Sequence, residues 1–237
     1  MRIIAFKIWG DFAHFRRHFT TSSPLTHSLP PPSALRGLIG AIVGLGSDKY
    51  PDALSQDKCQ IGVRLLKPLK KLRFPLNYLD TKDGAWVVKA PKGRLHTQVR
   101  VEFLKDPAFE VFFHHEDYSF MDKLSYRLKN HQTVFTPYLG LSECLANFEF
   151  LWDEIVKPRE ETSRVVSVFP TESLEELKLH NGTLLLKEMV PVFIDSERRR
   201  HLSREVIFHP HAKAIQAKLK EAFAYPQKEG ETFTLIG

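Results

Sequence analysis

Residues able to do chemistry gather early in the chain, in Trp9-Gly10-Asp11-Phe12-Ala13-His14-Phe15-Arg16-Arg17-His18-Phe19. Aromatic rings interleaved with cations can stack on unpaired bases and neutralise phosphates, each stacked base contributing roughly 1–3 kcal/mol. The chemistry is that of holding single-stranded RNA. Trp9, Phe12, His14 and Phe15 are its candidate stacking or packing groups, and Arg16 and Arg17 its candidate phosphate contacts. Ser33, Arg36, Gly37 and Gly40 extend the set along a helix that follows Pro30-Pro31-Pro32. Two glycines three apart let such a helix approach another backbone closely, either a strand or a ligand. Lys92, Arg94, His96 and Arg100 lie in the most basic stretch. There Arg64, Lys67, Lys70, Lys71, Arg73, Lys82, Lys89, Lys92, Arg94, Arg100 and Lys105 are opposed only by Asp80, Asp83 and Glu102. Such a run is either a solvated basic face or a nucleic-acid contact.

Other chemistries find less support. His14 and His18 have the spacing of a helical metal pair, but no third ligand stands nearby at a usual spacing. In His114-His115-Glu116-Asp117 the two imidazoles are adjacent, so on a strand they point to opposite faces. His209-Pro210-His211 has no neighbouring carboxylate. Cys59 and Cys144 are too few for a disulfide framework or a thiolate metal site. Neither a Gly-x-Ser-x-Gly elbow nor a Walker loop occurs, so no cofactor, metal or nucleotide triphosphate is expected. A metal-independent ribonuclease needs a base near the ribose 2′-OH and a cation for the phosphate, which spacing alone does not assemble.

The elements that must position these residues follow from periodicity. Met1 to Ile8 reads as a strand, apolar on both faces and therefore central and covered. Ser33 to Val43 reads as a helix with Leu35, Leu38, Ile39 and Ile42 on one face, Ser33 as N-cap, and Gly44 and Gly46 at its end. Strands are expected at Gln60–Leu66, Leu95–Leu104 and Phe109–His114. A hairpin is expected to join Trp86–Ala90 to Leu95–Leu104 through Pro91-Lys92-Gly93, and a helix to span Tyr118–Lys129. From Asn130 to Thr183 the chain reads as poor in strands, with a short acidic helix near Thr171. Strands then flank an Arg198-Arg199-Arg200 loop, at Leu184–Ile194 and Val206–Phe208. The order suggests an α+β fold on the ferredoxin-like (RRM-like) template. Its first part would be residues 1–147, and a smaller β-rich part 148–237 would pack on it. At 237 residues with a formal charge of +6 and a pI near 9.2, the chain can bury a full core and favours a polyanionic partner. No apolar run approaches the ~20 residues that span a bilayer, which suggests a cytoplasmic protein without membrane contact.

Four blocks resemble the CRISPR-associated protein five family: Phe6 to Phe15, Pro31 to Gly40, Val101 to Ala108 and Tyr138 to Cys144. They stand in family order over about the first 150 residues. The resemblance implies a ferredoxin-like RAMP domain with a β-hairpin thumb around Lys89 to Arg100 and a smaller C-terminal β part. It implies a subunit of a type I Cascade complex that caps and holds the 5′ handle of CRISPR RNA in antiviral defence. Partners would be the backbone subunit and the large subunit, an arrangement that allows proximity to target DNA. One branch of the family cuts precursor CRISPR RNA with a tyrosine in the first helix and a Lys-His pair ahead of Tyr-Ser. Here those positions hold Val43 and Glu116-Asp117. Valine cannot move a proton, and two carboxylates repel a phosphate. The resemblance therefore implies the non-cutting branch and no catalytic residue. An endoribonuclease of the same fold and a purely architectural subunit are the rival readings.

Overall fold

Ile3, Ile4, Ala5, Phe6 and Ile8 form a strand because branched and aromatic side chains pack well on a pleated surface. The computed structural model describes all residues except 21, 80–95, 160, 162, 180–181, 196 and 198. In it this strand is β1 (Arg2–Trp9), followed by β2 (Phe12–Ala13), α1 (Pro32–Val43), α2 (Tyr50–Ala53), β3 (Cys59–Leu65) and β4 (Lys71–Leu79). Then come β5 (His96–Lys105), β6 (Ala108–His115), α3 (Tyr118–Lys129) and β7 (Asn147–Ile155). Four of these strands make an antiparallel sheet in the order β3-β6-β1-β7.

β1 is interior, as its two apolar faces require. Ile4, Phe6 and Ile8 pack with Ile39 and Ile42 of α1 in the main core, while Ile3 and Ala5 meet Phe112, Trp152 and Phe233 on the opposite face. Helices α1 and α3 cover the first face and touch each other. The later strands form a five-stranded sheet (174–177, 215–219, 163–165, 231–233, 223–224) and a three-stranded one (186–194, 200–208, 169–170). Val168 and Ile236 donate backbone hydrogen bonds to Val63 and Ile61, closing the outer edge of β3. The outer edge of β7 pairs with no strand among the described residues.

Three expectations change. The strand paired with β5 is β4, from Lys71 with Leu104 through Leu79 with His96, and the expected arm at Trp86–Ala90 lies outside the described residues. Pro75 disguised it. Proline is tolerated there because β4 is an edge of the β2-β5-β4 sheet. The proposed turn at Pro91-Lys92-Gly93 lies outside the described residues. The stretch after Asn130 is also not strand-poor, since β7 and the strands at 163–165, 169–170 and 174–177 lie there, and the acidic helix near Thr171 is a single 3-10 turn, Thr171–Ser173. Last, α1 is capped by Pro31 with no side-chain hydrogen bond, so Ser33 is not the cap. Gly44 does end the helix, at φ +91°.

Candidate nucleic-acid interface

The apolar stripe of α1 faces the core, which leaves Ser33, Ala34, Gly37 and Ala41 along its outer side. These small residues form the floor of an open cleft of about 520 Å³. Its walls are Leu45, Gly46, Ser47 and Tyr50 on one side and Phe135, Thr136, Tyr138 and Gly140 on the other. The Tyr50 ring is held close because a Cβ on Gly40 would come within 3.0 Å of the Tyr50 Cβ, and the Tyr50 hydroxyl lies 3.8 Å from a Cβ position on Gly37. Gly40 thus admits a tyrosine of α2, which is neither the strand nor the ligand expected from sequence, while a Cβ on Gly37 would make only ordinary contact with the ring. Phe135 is anchored by its N–H to the Ala41 carbonyl, and Phe135 and Tyr138 are each about half exposed. The cleft offers aromatic rings and hydroxyls at a bare helix face, a shape that admits a flat base beside polar sugar contacts.

Gly140 fixes the far wall. At φ +93° it adopts a left-handed conformation, and a Cβ there would run into the His14 carbonyl oxygen. Gly140→Ala is expected to cost about 2 kcal/mol of stability, read from the urea midpoint, through strain and displacement of the backbone at His14.

The aromatic and basic segment after β1 is mostly committed to packing. His14 is buried, its Nδ1–H donating to the Glu102 carbonyl at 2.7 Å, and burial lowers its pKa. Phe15 is buried in the main core, and Phe12 stands edge-on to Phe74 and Phe103. His14 and Phe15 therefore cannot stack on bases. Arg17 pairs with Glu188 at 3.0 Å, and Arg16 remains exposed with a guanidinium hydrogen bond to the Thr20 carbonyl. Trp9 is half-buried with the Lys7 ammonium 4.5 Å from its ring centre.

Arg36 is also corrected. It is 1% exposed and donates to the carbonyls of Leu54 (2.7 Å), Val192 (2.5 Å) and Cys59 (3.4 Å), so it cannot reach a phosphate. Ser33 and Gly37 do line the cleft. His96 and Arg100 are exposed on β5, and Arg100 shares a second groove of about 330 Å³ with Arg73, Phe74, Pro75 and Ser23 to Leu25. Lys92 and Arg94 lie outside the described residues. Of the predicted residues, Ser33 and Gly37 line the cleft on α1 and Arg100 lines the second groove. Tyr50, Phe135 and Tyr138 escaped sequence reasoning, although Tyr138-Leu139-Gly140 belongs to one of the quoted blocks.

Part of the basic surplus is internally paired. Glu102 meets Lys71 (3.5 Å) and Arg73 (3.0 Å) and accepts the Thr26 N–H. Burial raises its pKa, but the two cations and these hydrogen bonds outweigh that and lower it. Asp117 is the N-cap of α3, its carboxylate accepting the Ser119 N–H at 2.8 Å. His115 donates from Nε2 to the Ala53 carbonyl and accepts the Asp117 N–H at Nδ1.

The model of the CRISPR-associated protein (Cas_Cas5) family matches residues 3–223. A curated protein from Thermus thermophilus, named CRISPR pre-crRNA endoribonuclease Cas5d, is 31% identical over 149 residues, covering 60% of this chain. The chain spans 61% of that relative's length. Among solved structures, a CRISPR protein from Archaeoglobus fulgidus matches with TM-score 0.54 at 17% identity, over 100% of this chain and 99% of that one. A CRISPR RNA-guided surveillance complex chain matches with TM-score 0.54 at 15% identity, over 92% and 91%. The relative's name overturns the expectation of a chain that is not an enzyme, drawn from Val43 and Glu116-Asp117. In the fold Val43 is a buried core residue and Asp117 is the N-cap of α3. With nearly its whole length matched by the family model and with CRISPR proteins as its structural neighbours, the chain belongs to the CRISPR-associated Cas5 family.

Proposed function

We propose that this chain binds CRISPR RNA and cuts its precursor. The 31% identity to a protein named for that activity is the observation that carries the reading. We read the run β1-α1-β3-β6-α3-β7 as a ferredoxin-like RAMP core and the β4–β5 arms as the base of a thumb. The cleft on α1 takes unpaired nucleotides between Tyr50 and Tyr138, while Arg73, Arg100 and Arg16 supply cations for the backbone. Cutting RNA without a metal requires that the 2′-OH lose its proton as it attacks the adjacent phosphate, and that the departing 5′-oxygen gain one. Tyr50 and Tyr138 are the cleft groups whose oxygens suit such transfers. The product stays bound by its 5′ handle. The chain then caps a type I surveillance complex beside the backbone and large subunits, in reach of target DNA.

Incubating the purified chain with repeat RNA in EDTA tests this. A single specific product is expected, with Tyr50→Phe or Tyr138→Phe lowering its rate at least about tenfold while RNA affinity holds. No product, or full activity in both variants, removes the cleft from the reaction. The phosphate contacts are read from salt titration, where each lost cation reduces the slope of log affinity by about 0.7.

A further inference from the structure

The exposed edge of β7 and the end of α3 enclose a groove of about 440 Å³, lined by Trp9, Leu128, Lys129, His131 and residues Asn147 to Phe150. We propose that this groove takes an extended segment of another polypeptide as a fifth strand of the sheet, one that alternates apolar and basic residues.

The first argument is the backbone. The Phe148 N–H is held by the side chain of its own neighbour, Asn147 Oδ1, at 2.8 Å. It is therefore not spent on β1, and by the alternation of an antiparallel ladder the Phe150 N–H points the same way. An outward-facing strand edge beside a helix is the geometry in which peptides add by strand pairing, an incoming carbonyl here taking the place of Asn147 Oδ1 on the Phe148 N–H. Beyond Phe150 the edge is protected. The register with β1 shifts between Ala5 and Phe6, so Leu151 is a bulge that blocks further pairing. The usable edge is Asn147 to Phe150.

The second argument is the groove wall. His131 closes α3 at φ +51°, with its N–H on the Leu128 carbonyl and the Gln132 N–H on Arg127. This is the helix-ending turn where glycine is usual. Here a histidine takes the strained position, and its imidazole lies parallel to the Phe148 ring at 4.4 Å. Lys129 lies over the Phe150 ring at 4.9 Å. His131 and Lys129 thus cover the Phe148 and Phe150 rings and form the helix-side wall of the groove.

Side-chain chemistry selects the occupant. Phe148 and Phe150 face the helices and ask for apolar residues across the ladder. Glu149 faces the other way with Lys7 at 3.7 Å, remains 57% exposed, and stands on the same side as Trp9, so it asks for a cation. A second copy of β7 fits poorly, because the register that pairs Phe148 with Phe150 sets the two Glu149 carboxylates opposite each other.

Fluorescence anisotropy of the full chain with labelled Val-Lys-Val-Lys-Val-Lys and Val-Glu-Val-Glu-Val-Glu peptides tests the proposal, together with amide exchange. The lysine peptide is expected to bind about fivefold tighter than the glutamate peptide. It should also slow exchange at Phe148 and Phe150 and leave β3 unchanged. Glu149→Lys, an exposed substitution that leaves the core intact, should reverse the preference. Equal binding of the two peptides, unchanged exchange at Phe150, or a preference untouched by Glu149→Lys overturns the proposal. So does displacement of the peptide by oligouridine, which would make the groove an RNA site, or self-association through this edge in sedimentation.

Discussion

Arg36→Ala is expected to cost about 4 kcal/mol of stability while leaving the RNA affinity of the folded fraction unchanged. The guanidinium is fully enclosed and joins three separate elements: α1, the Leu54–Cys59 connection into β3, and Val192 in the strand at 186–194. Alanine would leave three carbonyls facing a cavity, each costing about 1–3 kcal/mol when unsatisfied, with partial relief as water enters. The Phe193 ring, 5.9 Å from the guanidinium, would lose its partner as well. Urea denaturation measures the loss, and salt-titrated RNA binding below the transition measures the affinity. A tenfold drop in RNA affinity without a stability change would instead make Arg36 a phosphate contact.

Glu188→Gln is expected to cost about 3 kcal/mol at neutral pH and almost nothing near pH 2. Burial alone would push the Glu188 carboxyl up. Hydrogen bonds from His27 and Ser28, with the charge of Arg17, overcome burial and hold it at about 2. A carboxylate whose pKa is depressed by folding adds stability that is fully present above its ordinary value near 4.5 and fades as pH falls toward 2. The difference between wild type and variant, followed by urea midpoints, should therefore shrink across that window. A gap independent of pH would mean that the contact acts through packing alone. The consequence for the interface is direct: Glu188 ties Arg17, His27 and Ser28, the segment that carries Arg16, to a strand far away in sequence, so its loss should also weaken RNA binding at unchanged salt slope.

Periodicity located β1, α1 and α3 to within a residue or so, because each buries one regular stripe or both faces. It missed β7 because the Leu151 bulge breaks the alternation. Phe148 and Phe150 face the helices, while Trp152, two positions on, lies on the other face of the sheet. It missed β4 because an edge strand carries a proline and exposes every second residue or more. Of the candidate site, Ser33 and Gly37 were legible as a small-residue helix face. The cleft walls were not, since Tyr50 comes from α2 while Phe135 and Tyr138 come from the α3–β7 connection, more than eighty residues later.

By itself the sequence determined the family, through four short blocks in order, and the positions of the strongly periodic elements, because side-chain period and backbone geometry are local properties. It also determined that aromatics and cations interleave between Trp9 and Phe19 and that cations crowd Arg64 to Lys105. Only the tertiary structure decided which of them are available. Arg36, Arg17, His14 and Phe15 are used inside the molecule, because their carbonyl, carboxylate and apolar partners lie up to 171 residues away, as in the Arg17–Glu188 pair. A buried charge needs a partner wherever the fold supplies one, and spacing along the chain carries no record of that partner.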